Sequence, residues 1–241
     1  MRWIYISSHL DDAVLSAGGL IYEQTRAGID VEIWTILCGF PPTEELSPYA
    51  QLLHGEWGNS SPAEVVAARR AEDVKAAGIV GAKISHFDYL DCIYRRGKSG
   101  DWLYGYIYVP VHEDEADLPA QIAESISARL EPTDQLVCQL GLGSHIDHIL
   151  VRRAVELLQR PILYDADIPY LFKFPEEFAP KTAGMKAKTH RITDSGVRAW
   201  QDAISAYQSQ ISSLFEDSSA MRAQIQQYWS EYIGIRLWSP D

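Results

Sequence analysis

The sequence predicts a doubly wound, Rossmann-like α/β fold: a mostly parallel sheet with helices on both faces. Three observations predict it. Short apolar and β-branched runs alternate with helical patterns up to about residue 165. Residues 2–37 read as strand, helix and strand, a unit that crosses over right-handedly between parallel strands. Strings of His and Asp sit at two strand-to-helix junctions, where open α/β sheets take their ligands.

The elements follow in order. Arg2 to Ser7 is a buried strand of β-branched and aromatic residues. Asp12 opens a helix that ends near Gly28 and contains Gly18-Gly19. Two glycines inside a helix cost roughly 1 kcal/mol each against Ala, so they are expected to permit close helix–sheet approach. Ile29 to Leu37 is the second strand. Pro41 to Ser60 reads as an insertion above the sheet, with a short helical piece at Tyr49 to His54 and a turn at Gly58-Asn59. Ser61-Pro62-Ala63-Glu64 is a helix start: a capping Ser, Pro in the first turn and Glu three residues after the cap. That helix runs to about Ala77 and stops at Gly78, and Ile84 to Phe87 is the next strand.

Asp91 to Glu113 is irregular and holds the aromatic stretch Trp102 to Tyr108, read as a hairpin or a lid. Leu118 to Leu130 is a helix and Gln135 to Leu140 a strand; Gly141-Leu142-Gly143 is the turn after it. A helix from Ile149 to Gln159 and a strand from Ile162 to Tyr164 complete the alternating part. Beyond Pro169, Thr189 to Asp194 reads as an edge strand, and Ala199 to Phe215 and Ser219 to Ile233 as helices. A chain of 241 residues suffices for one domain with a proper core. The expected layout is one domain, with its core at about 1–165 and a helical C-terminal cap at about 166–241.

Composition excludes several classes. Hydrophobic residues at 46% and charged ones at 22% are ordinary for a globular chain and argue against disorder. A formal net charge of −12 argues against nucleic acid and anionic lipid surfaces as partners. The cluster Arg95-Arg96-Gly97-Lys98 reads as a solvated loop. No apolar run approaches the ~20 residues of a membrane span, and no basic-then-apolar leader pattern opens the chain. Cys38, Cys92 and Cys138 are odd in number and lack CxxC spacing, which fits a reducing compartment; a cytoplasmic location is expected.

The chemistry concentrates in His9-Leu10-Asp11-Asp12 and His145-Ile146-Asp147-His148. Taken alone, the first string reads as a helix cap, because Asp is a favoured capping residue. Together the two strings bring three histidines and three aspartates to strand ends of one sheet. Two imidazoles and one carboxylate with open positions are the donor set of catalytic rather than structural zinc. His9, Asp12 and His148 fit it. Asp11, Asp147 and His145 then stand beside the metal. One carboxylate is available to take a proton from metal-bound water. A further imidazole is available to stabilise an oxyanion or protonate a leaving amine. Asp147 is placed to orient His145 or a ligand histidine. Other candidates are weaker. His54 and His86 read as structural or surface residues and Cys138 as a buried strand residue. Ser7-Ser8 lacks a GxSxG elbow, and Gly141-Leu142-Gly143-Ser144 has the wrong spacing for a dinucleotide or phosphate loop.

At these residues the chain resembles the PIG-L/LmbE-like family of metal-dependent N-acetylglucosamine deacetylases. The family's His-Pro-Asp-Asp-Glu stands here as His9-Leu10-Asp11-Asp12-Ala13, and its His-Pro-Asp-His as His145-Ile146-Asp147-His148. Arg69-Arg70-Ala71-Glu72 followed by Ala76-Ala77 and Gly81, Tyr89-Leu90-Asp91, and Tyr207-Gln208-Ser209-Gln210 on a late helix are also similar to it. The resemblance implies one zinc per chain on His9, Asp12 and His148, and Asp11 as the base that activates the metal-bound water. It implies His145 as the group that polarises the acetyl carbonyl and stabilises the oxyanion, and Arg69 and Asp91 as substrate contacts. The implied reaction is removal of the acetyl group from an N-acetylated amino sugar or a glycoconjugate containing one. Three departures stand out: Leu10 and Ile146 replace proline, and Ala13 replaces Glu. Bland readings of Arg69 as a surface residue and Asp91 as a loop cap stay open. So do other functions: an amidase on another N-acyl or thiol-conjugate substrate, a phosphoesterase, and a non-catalytic metabolite-binding relative. Self-association into a homo-oligomer is compatible with the sequence.

Overall fold

The computed structural model describes residues 1–58 and 61–240. Strand β1 (Trp3–Ser7) buries Ile4, Tyr5 and Ile6 completely, as a strand covered on both faces must. Helix α1 (Asp12–Arg26) follows after a four-residue bend, and β2 (Val31–Thr35) returns parallel to β1 with Trp3 opposite Val31 and Ser7 opposite Thr35. The segment read as an insertion holds α2 (Pro48–Trp57), which Gly58 ends in the left-handed region; Asn59 and Ser60 lie outside the described residues. Helix α3 (Pro62–Val80) starts with a reciprocal capping box between Ser61 and Glu64. It runs through Gly78, which reads as its end in the sequence, and closes at Gly81, whose φ is 77°. Strand β3 (Lys83–His86) then pairs parallel with β2.

The stretch from Asp91 to Glu113 is largely irregular, with hairpin-like pairing across Arg95–Leu103, where Leu103 N–H donates to Arg95 O at 3.1 Å and Gly97 N–H to Asp101 O at 2.8 Å. Among the described residues it holds a 3-10 turn at Cys92–Tyr94 and an isolated bridge between Arg96 and Trp102. Helix α4 (Leu118–Ser127), strand β4 (Gln135–Gln139), helix α5 (Ile146–Leu157) and strand β5 (Ile162–Asp165) follow. Helix α5 starts three residues before Ile149, because the His145 side chain caps it and accepts the Asp147 N–H.

The rest of the chain is more than a helical cap. It contains α6 (Tyr170–Lys173), α7 (Pro175–Lys181), β6 (Met185–Arg191), α8 (Asp194–Ile204), α9 (Ile211–Leu214), α10 (Ser218–Tyr232) and β7 (Gly234–Pro240). The sheet order is β3-β2-β1-β4-β5-β7-β6. The first five strands are parallel, in the doubly wound order, and β7 runs antiparallel to both of its neighbours. The chain winds outward from β1 in both directions. A crevice therefore opens beyond the carboxyl ends of β1 and β4, the switch point where such sheets bind ligands.

The helix expected over Ala199 to Phe215 is broken. It starts earlier, at Asp194, ends at Ile204, and resumes as the short α9. Between the two, Tyr207 Oη–H donates to Asp73 at 2.6 Å, while Ser209 donates to Glu72 through its N–H at 2.9 Å and its hydroxyl at 2.6 Å. These ties to α3 pull Tyr207-Gln208-Ser209-Gln210 into turns rather than onto a helix. The edge strand also begins earlier than expected and stops at Arg191, since Thr193 caps α8 by accepting the Gly196 N–H.

Gly18 and Gly19 permit close approach to a helix more than to the sheet. A Cβ on Gly18 would lie 2.6 Å from Trp200 Cδ1 of α8, and one on Gly19 3.2 Å from Trp200 and Ile192. Trp200 is fully buried, and its Nε1–H donates to Val14 O at 2.8 Å and Leu15 O at 3.1 Å, so the ring has nowhere to move. Gly78 is the contrasting case, exposed and with open space where a Cβ would go. Gly78→Ala should stabilise the protein by about 1 kcal/mol through helix propensity. Gly18→Ala should destabilise it by ~1–3 kcal/mol through overpacking, despite the same propensity gain. Urea denaturation of the two variants checks the opposite signs.

Candidate active site

The bend after β1 is held by its own side chains. Ser7 Oγ accepts the Ala13 N–H at 3.0 Å and donates to His9 O at 2.7 Å, and Asp12 Oδ2 accepts the His9 N–H at 2.7 Å. After β4 the chain turns through Gly141 and Gly143, both at positive φ. A side chain at Gly143 would meet the Phe174 ring at 2.6 Å, so the turn admits only glycine there. Gln139, the last residue of β4, joins the two junctions: its Oε1 accepts the Ser8 N–H at 3.1 Å and the Ser8 hydroxyl at 2.7 Å.

The two strings consequently meet. Ring centroids lie 4.8 Å apart for His9 and His145, 5.3 Å for His9 and His148, and 4.9 Å for His145 and His148. Ligand atoms of His9, Asp12 and His148 all fall within 4.8 Å of one another, and the three residues are buried. His9 Nδ1 is 3.4 Å from Asp12 Oδ2, and His148 Nε2 is 3.4 Å from Asp12 Oδ1. The opposite nitrogen of each imidazole faces another carboxylate. His9 Nε2 lies 2.9 Å from Asp147 Oδ2, and His148 Nδ1 lies 3.2 Å from Asp167 Oδ1. Such outer carboxylates fix the tautomer and orientation of metal-binding histidines.

Electrostatics follow from burial and crowding. Burial alone would depress His9 and His148. Their carboxylate partners win: Asp12 and Asp147 hold His9 well above the ordinary histidine range, and Asp12 and Asp167 raise His148 to about 10. Burial opposes ionisation of Asp12 and Asp147 too, yet His148 and His9 hold the first, and Arg95 and His9 the second, well below the usual carboxylate range. Asp11 is the exception. Burial, reinforced by Asp12 next to it, pushes Asp11 up to about 8 against the attraction of Arg69, whose Nη2 is 3.7 Å away. His145 moves the other way: burial and the neighbouring His9 and His148 hold it well below the usual range. Its Nδ1 accepts the Asp147 N–H at 3.1 Å, so in the neutral ring Nε2 carries the proton.

A cleft of about 570 Å³ opens above this cluster. His9, Asp11, Asp12, His145, Arg69 and Asp91 line it, with Tyr49, Trp57, Tyr108 and Tyr170 as aromatic walls. Arg69 stacks on Trp57 at 4.7 Å, and its Nε has no hydrogen-bond partner among the described residues. Asp91 lines the cleft and also caps the 3-10 turn, accepting the Ile93 N–H at 3.2 Å. His148 and Asp147 lie beneath, fully buried.

Sequence reasoning passed over two residues of this cluster. Asp167, on the loop after β5, gave no signal beyond an acidic residue at a strand end. Arg95 reads in the sequence as part of a solvated cluster but is buried. Its Nη2 donates to Asp147 Oδ1 at 2.6 Å and to Glu115 Oε2 at 3.2 Å, and its Nη1 to Leu90 O at 2.9 Å. The lone guanidinium is drawn in by two buried carboxylates whose positions only the fold reveals. His54 is buried with its Nε2 2.6 Å from Tyr94 Oη, His86 pairs with Asp73 at 3.0 Å, and Cys138 is buried in β4.

The family model described as GlcNAc-PI de-N-acetylase, PIG-L, matches residues 4–158, which contain both strings. The chain belongs to the PIG-L family of de-N-acetylases. The 2'-N-acetylparomamine deacetylase of Niallia circulans is 26% identical over 193 residues, 70% of this chain and 67% of that protein. Among solved structures, the zinc-inhibited form of a teicoplanin deacetylase superposes with a TM-score of 0.81 at 26% identity, covering 99% of this chain and 97% of that one. A deacetylase of the A40926 pseudoaglycone superposes with a TM-score of 0.75 at 25% identity, covering 99% and 96%.

Asp167→Asn keeps the shape of its side chain and removes the charge facing His148. Affinity for a divalent cation, titrated with Zn²⁺, should fall by about 10–100-fold. Because Asp12, Asp147 and Asp167 hold His9 and His148 protonated at neutral pH, and burial keeps a proton on Asp11 beside them, cation loading should release about two to three protons at pH 7. Apparent affinity should then rise with pH through the neutral range, since a proton competes for each nitrogen. Calorimetry in buffers of different ionisation enthalpy reads the proton count.

Proposed function

We propose that this PIG-L deacetylase removes the acetyl group from an N-acetylated amino sugar in a small molecule or glycoconjugate, with one zinc held by His9, Asp12 and His148. The observation that carries the reading is the convergence of those three side chains beneath a cleft that Asp11 and His145 also line. The residues suit a divalent cation on two grounds. Two imidazoles and a carboxylate are the donors of a catalytic zinc site. The carboxylates of Asp11, Asp12, Asp147 and Asp167 outnumber the guanidiniums of Arg69 and Arg95 in the same buried region, and a cation can take over from the protons on His9 and His148 in offsetting that surplus. When bound, such an ion supplies Lewis acidity, lowering the pKa of water toward ~7 and polarising a carbonyl.

The chain's own groups divide the remaining work. Asp11 takes the proton from the attacking water; burial gives it a proton affinity suited to work near neutral pH. The water oxygen bonds to the acetyl carbon, and the carbonyl oxygen gathers negative charge. His145, neutral and with its proton on Nε2, donates a hydrogen bond to that oxygen. Asp11 then delivers its proton to the departing nitrogen, the C–N bond breaks, and acetate and a free amine leave. Arg69 and Asp91 on the cleft wall bind sugar hydroxyls. The paromamine and teicoplanin deacetylases that the chain resembles support an amino-sugar substrate. Three buried, unpaired cysteines support a cytoplasmic setting, and no helix among the described residues is long and apolar enough to cross a membrane.

A panel of N-acetylated amino sugars, read by acetate release, tests the activity. Asp11→Asn should retain zinc and lose about 10²–10⁴-fold in turnover. His148→Ala should lose zinc itself. Full turnover in the first variant, or unaltered zinc stoichiometry in the second, would remove that residue from its role.

A further inference from the structure

The cleft does not end at its own rim. A second groove of about 420 Å³ lies beside it, lined by Ser47, Pro48, Tyr49, Trp102, Tyr104 and Gly105. Tyr49 is a wall of both. The groove's walls are rings: Pro48 and Tyr49 from the start of α2, Trp102 and Tyr104 from the aromatic segment. Each ring is fixed. Arg96 stacks on Trp102 at 3.6 Å and is itself paired with Glu45 at 2.7 Å. Tyr104 donates its hydroxyl proton to Glu115 at 2.6 Å and accepts the His112 N–H at 2.8 Å. Tyr106, half exposed, packs edge-on against Tyr49 at 6.1 Å and against Tyr108 at 5.3 Å, and Tyr108 in turn stands edge-on to His145 at 6.0 Å. A row of aromatic rings thus leads from solvent to the catalytic histidine.

Aromatic faces already held in place, such as those of the half-buried Tyr49 and Trp102, lose little entropy when a flat apolar group stacks on them. Among the described residues the groove offers no unpaired charge: Arg96 and Glu45 neutralise each other, and Glu115 is buried against Arg95 and Tyr104. Gly105 is open, with no atom within 4 Å of where its Cβ would stand and a φ outside the left-handed region. A side chain there would project into free space without backbone strain.

Building on the deacetylase reading, we infer that this groove is a subsite for an uncharged aromatic aglycone attached to the amino sugar whose acetamide enters the cleft. Continuity through Tyr49 puts the sugar at the histidines and the aglycone on Trp102. The preferred substrate is then an aryl-bearing glycoside rather than the free sugar.

The test compares N-acetylglucosamine with a phenyl N-acetylglucosaminide by acetate release, and measures binding of phenyl β-glucoside, which has no acetamide, by calorimetry. Wild-type protein should favour the aryl glycoside by about tenfold or more in kcat/KM, chiefly through KM. Gly105→Leu, which adds bulk to the groove's lining, and Trp102→Ala, which removes one of its walls, should each erase that ratio and weaken phenyl β-glucoside binding. If either variant fails to fold, the other carries the same reading. Equal kcat/KM for the two sugars, or a ratio untouched by both variants, overturns the subsite while leaving deacetylation intact. Acetate release from neither sugar, with phenyl β-glucoside binding that Gly105→Leu abolishes, overturns the deacetylase reading and leaves the aryl-binding groove standing.

Discussion

The site is organised by a charge imbalance. Asp11, Asp12, Asp147 and Asp167 are all buried around His9 and His148, and two guanidiniums reach them. Buried carboxylates in that density stay ionised only where something positive or a hydrogen-bond donor meets each oxygen. The fold meets that demand from several directions. Arg95 and the Cys92 N–H take the two oxygens of Asp147, the Leu142 N–H takes Asp167, and the His9 N–H takes Asp12. Asp11 has the more distant Arg69, 3.7 Å away, and of these four it is the carboxylate whose proton affinity rises. In the proposed reaction the same imbalance would hold a cation at the centre and set a proton acceptor at its edge.

Each contributor to this balance comes from a different part of the chain. His9 to Asp12 follow β1, His145 to His148 form the cap and first turn of α5, Asp167 follows β5, and Arg95 belongs to the irregular segment. The doubly wound strand order puts the ends of β1, β4 and β5 side by side, so loops remote in sequence share one crevice. The C-terminal region acts at a distance. Trp200 braces α1 from behind, and Tyr207 closes over Asp73, which also holds Thr35 at the end of β2 and His86 in β3.

The parts legible in the sequence were those with local signatures. The first five strands, their helices and both His/Asp strings follow from periodicity and from the residues that start helices. The misses share a cause: they depend on partners far along the chain. Nothing between Ala199 and Phe215 breaks a helix locally; the break at Ser205 comes from Asp73 and Glu72 on α3. Strand β7 alternates Ile235 and Leu237 inward, but in seven residues following a long helix that pattern carries little weight until β5 and β6 flank it. Arg95 looks solvated in the sequence because its flanks are polar, and only the positions of Asp147 and Glu115 explain its burial.

The departures from the family's motifs have structural consequences that bear on the aromatic segment. Ile146 stands where the second motif carries proline. Its N–H donates to Ile107 O at 3.0 Å, a bond that proline, lacking the proton, cannot make. Its side chain is fully buried with Cys92, Ile93, Tyr94, Tyr104 and Leu150. One substitution therefore fastens the segment carrying Tyr104 to Tyr108 onto the first turn of α5, beside His145. Leu10 and Ala13, at the other two departures, are likewise buried, and Ala13 belongs to the main apolar core. A glutamate at position 13 would need a buried partner, and an alanine removes that demand. The loss of the motif's carboxylate is a change in packing behind the bend, while Asp11 and Asp12 keep their places on the cleft.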